Sequence, residues 1–173
     1  MYNVLDNFVN EKDLESFYND YCLNGKIEWA YNNRANHNYP IDSFSSNKNT
    51  NELVKISFIK NCLDRINPIV QKFNNTIDRI FVNGLPSGCD GFEHTDREGL
   101  TALLMINPVW KKEWGGEFLC YNDNNEIIYA STFKPGRLII FDGKKPHRGL
   151  GPNKFFDKLR VTIAFQCLKM IEE

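Results

Sequence analysis

The stretch 159–168, LRVTIAFQCL, has the alternation of a β-strand with two different faces. Arg160, Thr162 and Ala164 would lie on one face of this strand, and apolar side chains would lie on the other. A guanidinium on an inward face is costly unless it meets an anion, and its planar fork suits a carboxylate. The strand therefore predicts a β-rich domain with an anion-binding position inside it, where the Thr162 hydroxyl could assist.

The rest of the chain separates into a helical part and a part rich in strands. Residues 10–22 have apolar side chains at helical spacing behind a possible Asn10 N-cap, and residues 51–73 predict a second helix, bent near Pro68. After about residue 76, short β-rich runs alternate with turn residues. These runs are IDRIFVNGL, LTALLMI, GEFLCY, EIIYA, GRLIIF and LRVTIAFQCL.

This order predicts an α+β fold in which helices pack on an antiparallel sandwich or barrel. We expect one domain, residues 1–173, with a helical entry over about 1–75 and a β-rich core over about 76–168. Residues 31–50 are polar, rich in asparagine and broken by Pro40, so we predict a long loop that is either a lid or an inert surface segment.

Composition narrows the possible partners and location. The net charge of −1 and the pI of about 6.3 give no general attraction to nucleic acid or to an anionic membrane, so we expect neither as a partner. Five cysteines without a Cys-x-x-Cys pair suggest buried thiols in a reducing compartment. With no basic and apolar leader and no run of 18 apolar residues, we expect a soluble, cytoplasmic protein, as a monomer or a weak homodimer.

A possible metal site lies in GFEHTDREG, residues 91–99. His94 and Asp96 are two residues apart, so on an extended strand they project to the same side. A nonheme Fe(II) oxygenase site needs two imidazoles and one carboxylate on one face of the metal. The chain has three histidines, which leaves His37 and His147 for the third position. We predict His147, which follows a β-run and a turn, and we expect His37 to be exposed in the polar loop.

Taken in order, these residues resemble the Fe(II)/2-oxoglutarate-dependent oxygenase superfamily. The pattern is His94-x-Asp96, then His147, then Arg160 with a hydroxyl at Thr162, separated by WGGEFLCYND and FKPGRLIIFDGKKPHRG. Within the superfamily the chain is most similar to the prolyl 4-hydroxylase-like branch, which includes hypoxia-sensing prolyl hydroxylases and their bacterial and viral relatives. The resemblance covers about residues 78–166. It implies a double-stranded β-helix, the jelly-roll form shared with cupins, with the N-terminal helices packed on one side.

The resemblance also implies cofactors and residue roles. Fe(II) would be held by His94, Asp96 and His147, and Arg160 would bind the C5 carboxylate of 2-oxoglutarate, with Thr162 beside it. Dioxygen would be the second cosubstrate, and stimulation by ascorbate would be in keeping with the family. Asn83 matches an asparagine that binds the cosubstrate in AlkB-type demethylases, although a turn role for Asn83-Gly84 is an equal alternative.

Some positions depart from the family pattern or have two interpretations. Where hypoxia-sensing relatives have tyrosines that contact the cosubstrate, this chain has Leu85 and Leu104. Trp110 and Trp114 would be either loop anchors or part of the substrate rim. The basic residues around His147 would be a solvated turn or a contact for an acidic substrate; they are Lys144, Lys145 and Arg148.

The function implied by the resemblance is hydroxylation of an unactivated C–H bond, with release of succinate and CO2. The branch favours a prolyl residue of a peptide or protein as substrate. The alternatives are a free amino acid, a sugar or another small metabolite. A non-catalytic, cupin-like metal-binding module is a further alternative, because the same fold serves both purposes.

Overall fold

An antiparallel sheet of seven strands forms the centre of the computed structural model, which describes residues 2–32 and 43–170. Its strands are β1 (Tyr2–Leu5), β2 (Trp29–Asn32), β3 (Ser43–Ser46), β4 (Asn75–Leu85), β5 (Leu100–Met105), β8 (Leu138–Asp142) and β10 (Arg160–Lys169). Their spatial order is β1-β8-β5-β10-β4-β3-β2. The long strand β10 pairs with β4 on one side and with β5 on the other.

A second antiparallel sheet packs against one face of the first. It contains β6 (Phe118–Tyr121), β7 (Ile127–Ser131) and β9 (His147–Gly149), in the order β7-β6-β9. Asn125, with φ of 62°, lies in the turn between β6 and β7. The apolar cluster between the sheets contains Met105, Phe118, Cys120, Phe133, Ile139 and Phe141. This sandwich confirms the predicted antiparallel core.

The helices cover the other face of the large sheet, as predicted. They are α1 (Glu11–Phe17), followed by a π-helical turn (Tyr18–Leu23), then α2 (Thr50–Leu53) and α3 (Ser57–Gln71). The Asn10 side chain caps α1 by accepting a hydrogen bond from the Asp13 backbone N–H. Helix α3 buries one stripe of side chains, Ile59, Cys62, Ile66 and Val70, in the main core. None of the helices in the described part of the chain is long and apolar enough to cross a membrane.

The second predicted helix forms as two separate helices. The break lies at residues 54–56, between α2 and α3, whereas α3 continues through Pro68 to Gln71. Asn49 and Glu52 form a capping box that starts α2 as a separate turn, and Ile56 is extended, with φ of −78° and ψ of 116°. Pro68 lies in the last turn of α3, where its missing N–H removes one helical hydrogen bond.

Strands β1 and β3 are among those that were not predicted, and their partners β8 and β4 are distant in sequence. Within the segment predicted as a loop, residues 43–46 form β3, which pairs with β4 through Phe44 opposite Gly84. The other is β1 at the start of the chain, which pairs with β8. In both cases pairing with a preformed sheet outweighs a composition that is only weakly β-forming.

The alternation of β10 matches the prediction and gives the sheet two different faces. Val161, Ile163 and Phe165 are fully buried in the core beneath the helices. The alternate residues Arg160, Thr162, Ala164 and Gln166 point to the opposite side, where they line a cavity between the sheets. The strand that builds the core therefore also builds the site.

Helix α3 offers a matched test of this packing. Ile66 is fully buried and Ile69, one turn later, is only partly buried. We expect Ile66→Ala to lower the free energy of unfolding by about 2–4 kcal/mol, through lost burial and a residual cavity. Ile69→Ala should cost clearly less. Urea unfolding followed by circular dichroism measures both, and equal losses would contradict this packing of α3.

Candidate active site

Three side chains from two distant parts of the sequence converge at one end of the cavity. The ligand-type atoms of His94, Asp96 and His147 all lie within 4.8 Å of one another, and no other such group occurs within residues 2–32 and 43–170. His94 and His147 face each other through two backbone hydrogen bonds of 3.0 and 2.9 Å, and the Asp96 N–H donates to the Gly143 carbonyl at 2.8 Å. Backbone pairing thus brings together the three residues predicted from the sequence.

Hydrogen bonding orients both imidazoles in the same way. Nδ1 of His94 lies 2.9 Å from the Phe92 carbonyl oxygen, and Nδ1 of His147 lies 2.8 Å from the Lys145 carbonyl oxygen. A carbonyl only accepts, so in the neutral ring Nδ1 carries the proton and Nε2 keeps its lone pair. The two Nε2 atoms are 3.7 and 3.5 Å from the Asp96 carboxylate. This is the arrangement that metal-binding histidines usually have.

Both oxygens of Asp96 accept hydrogen bonds from side chains of the large sheet. Thr101 Oγ1 donates to Oδ2 at 2.6 Å, and Gln166 Nε2 donates to Oδ1 at 2.5 Å. Burial by itself would raise the pKa of Asp96, but while the two imidazoles are protonated, hydrogen bonds from His147 and Thr101 and the charges of His147 and His94 outweigh it, so the pKa lies below its usual value. Asp96 is therefore an ionised carboxylate in a position to bind a cation.

Thr101 and Gln166 are functional residues that the sequence analysis missed. They face each other across β5 and β10. Strand alternation could have identified Gln166, because it follows Ala164 by two positions and so lies on the same face of β10 as Arg160 and Thr162. The contact of Thr101 with Asp96 depends on how the 96–101 loop folds back, which strand alternation does not encode.

Arg160 lies deep in the cavity with part of its guanidinium unsatisfied. The residue is 3% exposed, its Nε donates to the Gly116 carbonyl at 2.8 Å, and its Nη2 has no hydrogen-bond partner among the described residues. Burial lowers the pKa of Arg160 to about 10, and the nearby Glu117 opposes this, so the group stays charged at neutral pH. A buried cation with a free donor requires an anion, which supports the prediction of a carboxylate-binding position.

The cavity has a volume of about 730 Å³ and is lined by all six residues predicted for the site. His94, Asp96 and His147, called here the metal-type group, lie on one wall of the cavity. Arg160, Thr162 and Asn83 lie on the large sheet. Thr162 is buried and faces Asn83 across β10 and β4. A volume of this size is typical of small-molecule and cofactor sites.

Other predicted contacts are placed differently. Leu85 lines the cavity, but Leu104 is fully buried in the core beneath the helices, and its neighbour Leu103 lines the cavity instead. The interpretation of Leu104 was wrong because a shift of one residue along a strand exchanges its faces. His37 lies outside the described residues, as do residues 33–42 of the predicted loop.

The tryptophans and the basic turn do not line the cavity. Trp110 packs 4.2 Å from Phe133 and 4.7 Å from Phe156, measured between ring centroids, and Trp114 packs against the same Phe156. Trp110 and Trp114 therefore anchor their loop by packing against neighbouring aromatic rings. In the turn before β9, Lys144 forms an ion pair with Glu98, and Arg148 donates to the Tyr121 hydroxyl. Lys145 also lies outside the cavity lining.

Comparison with known proteins places this site in a family. Residues 81–166, about half of the chain, match the model of the 2OG-Fe(II) oxygenase superfamily. The chain belongs to this superfamily and is an Fe(II)- and 2-oxoglutarate-dependent dioxygenase. No curated protein sequence gives a significant match.

Solved structures agree with the fold. A prolyl hydroxylase from Trichoplax adhaerens, in complex with a hypoxia-inducible factor peptide, is 17% identical, with a TM-score of 0.68 over 97% of this chain and 83% of that chain. A viral collagen prolyl hydroxylase from Paramecium bursaria Chlorella virus-1 is 17% identical, with a TM-score of 0.60 over 96% of each chain. The epimerase SnoN from nogalamycin biosynthesis is 10% identical, with a TM-score of 0.71 over 97% of this chain and 78% of that chain. At these identities the likeness establishes the double-stranded β-helix.

The contacts of Asp96 can be tested through metal affinity. Gln166→Leu removes the donor to Asp96 Oδ1 at nearly constant volume, and we expect it to weaken Fe(II) binding about tenfold or more, because the carboxylate loses one of its orienting partners. Anaerobic competition with a chelator measures this affinity. Gln71→Leu at the exposed end of α3 is the control. Equal iron affinity in wild type and Gln166→Leu would show that this hydrogen bond does not support the metal.

Proposed function

We propose that this dioxygenase hydroxylates a prolyl residue of a peptide or protein, with His94, Asp96 and His147 holding the iron. Arg160 binds the C5 carboxylate of 2-oxoglutarate, and Thr162 and Asn83 contact the cosubstrate from the same wall. The observation that carries this assignment is the presence, in one cavity, of a converged His-Asp-His group and a buried guanidinium with an unused donor. Neither feature has a structural purpose without its ligand.

The residues present fit the two groups that the family uses. Both Nε2 atoms and the ionised Asp96 offer lone pairs toward one point, which suits a divalent cation. When bound, iron and 2-oxoglutarate supply the oxidising chemistry that places one oxygen atom of O2 on the substrate and the other in succinate. The protein's own contribution is to fix the ligand side chains, to hold the cosubstrate carboxylate and to exclude water from the cavity.

Arg160 is suited to this task by both burial and shape. Gly149 and Gly116 line its guanidinium closely, and a Cβ atom at Gly149 would lie only 3.1 Å from Nη1. This close approach of the backbone holds the guanidinium in one plane. In a dry environment the paired charges attract more strongly than they would in water.

Two considerations favour a prolyl substrate. The sequence resembles the prolyl 4-hydroxylase-like branch, and two of the similar structures are prolyl hydroxylases, one of them with a bound peptide. The cavity is also lined by β3 and by the start of α2, which leaves room for a substrate in addition to the cosubstrate. A small-metabolite substrate is the second candidate, because the similarity to SnoN, an enzyme of nogalamycin biosynthesis, has a higher TM-score.

A substrate screen tests the proposed function. Proline-containing peptides, free amino acids and sugars are incubated with the Fe(II) protein, 2-oxoglutarate and O2, and succinate and a mass gain of one oxygen are measured. We expect oxidation of prolyl peptides. His147→Ala should lose both turnover and stoichiometric iron, whereas His37→Ala should lose neither. Oxidation of free metabolites alone would favour the second candidate, and full iron content in His147→Ala would refute that ligand.

The role of Arg160 predicts a specific kinetic defect. Arg160→Leu should raise the KM for 2-oxoglutarate by about tenfold or more, since a desolvated carboxylate loses a charged, two-pronged partner, and Arg160→Lys should restore part of the affinity. Arg65→Leu, on the exposed side of α3, controls for the loss of an arginine. Titration of the anaerobic Fe(II) protein with 2-oxoglutarate separates binding from turnover. Unchanged binding in both Arg160 variants would place the carboxylate elsewhere.

A further inference from the structure

A row of three cavity-lining side chains crosses the large sheet beside Asp96. Gln166 on β10 is opposite Arg79 on β4 and opposite Thr101 on β5. Thr101 and Gln166 both bind the Asp96 carboxylate, so the row begins at the metal-type group and ends at Arg79. Neighbouring strands are about 4.8 Å apart, which places the backbone of Arg79 on the order of 10 Å from that of Thr101. Arg79 therefore faces the part of the cavity that lies past the iron position.

A β-bulge lies next to Arg79 in β4. Gln166 pairs with Arg79 and Cys167 pairs with Ile77, so Asp78 is an extra residue without a partner in the ladder. A bulge of this kind redirects side chains and is frequent next to active sites. It brings Asp78 beside Arg79, whose Nε is 3.7 Å from Asp78 Oδ2.

Asp78 does not neutralise Arg79 by itself. The same Oδ2 accepts a closer contact from Arg97 Nη1, at 3.1 Å. One carboxylate thus serves two guanidinium groups, and this small cluster keeps a net positive charge. The Arg79 side chain is 45% exposed, so its outer donors remain accessible from the cavity.

A second cation lines the same region. Lys48 precedes α2, and its backbone N–H donates to Ser46 Oγ, which fixes the turn that carries it. Within residues 2–32 and 43–170, the Lys48 ammonium has no carboxylate within ion-pair distance, and Asp96 is the only acidic residue in the cavity lining. Fe(II), 2-oxoglutarate, Asp96 and Arg160 together carry no net charge, so in the loaded site Lys48 and the cluster of Arg79, Asp78 and Arg97 keep an uncompensated positive charge.

We propose that the substrate carries a carboxylate close to the carbon that is oxidised, and that Arg79, assisted by Lys48, binds it. The inference rests on the proposed function, because it assigns the substrate to the same cavity. The planar guanidinium suits a carboxylate, and a contact this exposed selects among substrates without binding very tightly. The carboxylate comes from an acidic side chain next to the proline in a peptide, or from a free acid.

The test uses a matched pair of peptides. Acetylated and amidated Gly-Ala-Pro-Glu-Gly and its Gln counterpart differ in a single charge at nearly constant shape. We expect the wild-type enzyme to have about tenfold lower KM for the Glu peptide, and this preference to fall as NaCl is raised. Arg79→Gln should abolish the preference, and Arg79→Lys should keep part of it. Lys72→Gln, an exposed lysine at the end of α3, should leave it unchanged.

A second measurement separates this inference from the identity of the substrate. N-acetylglutamate and N-acetylglutamine are titrated into anaerobic protein loaded with Mn(II) and 2-oxoglutarate, so that the cosubstrate already occupies Arg160. If no prolyl peptide is oxidised but N-acetylglutamate binds wild type severalfold more tightly than Arg79→Gln, the carboxylate site stands and the prolyl proposal fails. Equal KM values for the two peptides would overturn the inference. So would a preference that survives in Arg79→Gln, or acid binding that is equal in both proteins when no peptide is oxidised.

Discussion

The pairing of β10 with two neighbours is the constraint on which the site depends. Because β4 and β5 fix its register from both sides, each residue of β10 is committed to the core or to the cavity. A slip of one residue would place Val161, Ile163 and Phe165 in the cavity and would bury Arg160 against the helices. The hydrophobic core therefore holds the polar side chains in place, and the precision of the site follows from the stability of the sheet.

The metal-type group depends on a second pairing, between segments more than fifty residues apart. The two backbone hydrogen bonds between His94 and His147 bring their rings to a centroid distance of 4.4 Å, and the bonds from Nδ1 to carbonyl oxygens set their orientation. Hydrogen bonds within the protein therefore position and orient both imidazoles. Preorganisation of this kind reduces the reorganisation needed when a ligand binds.

Sequence patterns predicted most helices and strands and which side of each is buried. They did not predict which strands pair with one another. Alternation along 160–168 correctly predicted that Arg160, Thr162 and Ala164 share one face of β10. The run and turn before His147 predicted its approach to His94 and Asp96, which the structure shows. Periodicity describes which side of an element is buried, but not which element covers it. For this reason β3, the contact of Thr101 with Asp96, and the exchange of Leu103 for Leu104 could not be anticipated, since each depends on register between distant strands.

The bulge at Asp78 is a position where β4 can lose a residue during evolution. Pairing is in register on both sides of it, with Arg79 opposite Gln166 and Ile77 opposite Cys167. Loss of Asp78 would close the ladder into a regular strand without moving any residue to the other face, while gain of a residue there is absorbed locally. The charge surrounding Arg79 can therefore be altered by a single-codon insertion or deletion, and the strands that carry Asp96's partners and Arg160 keep their positions.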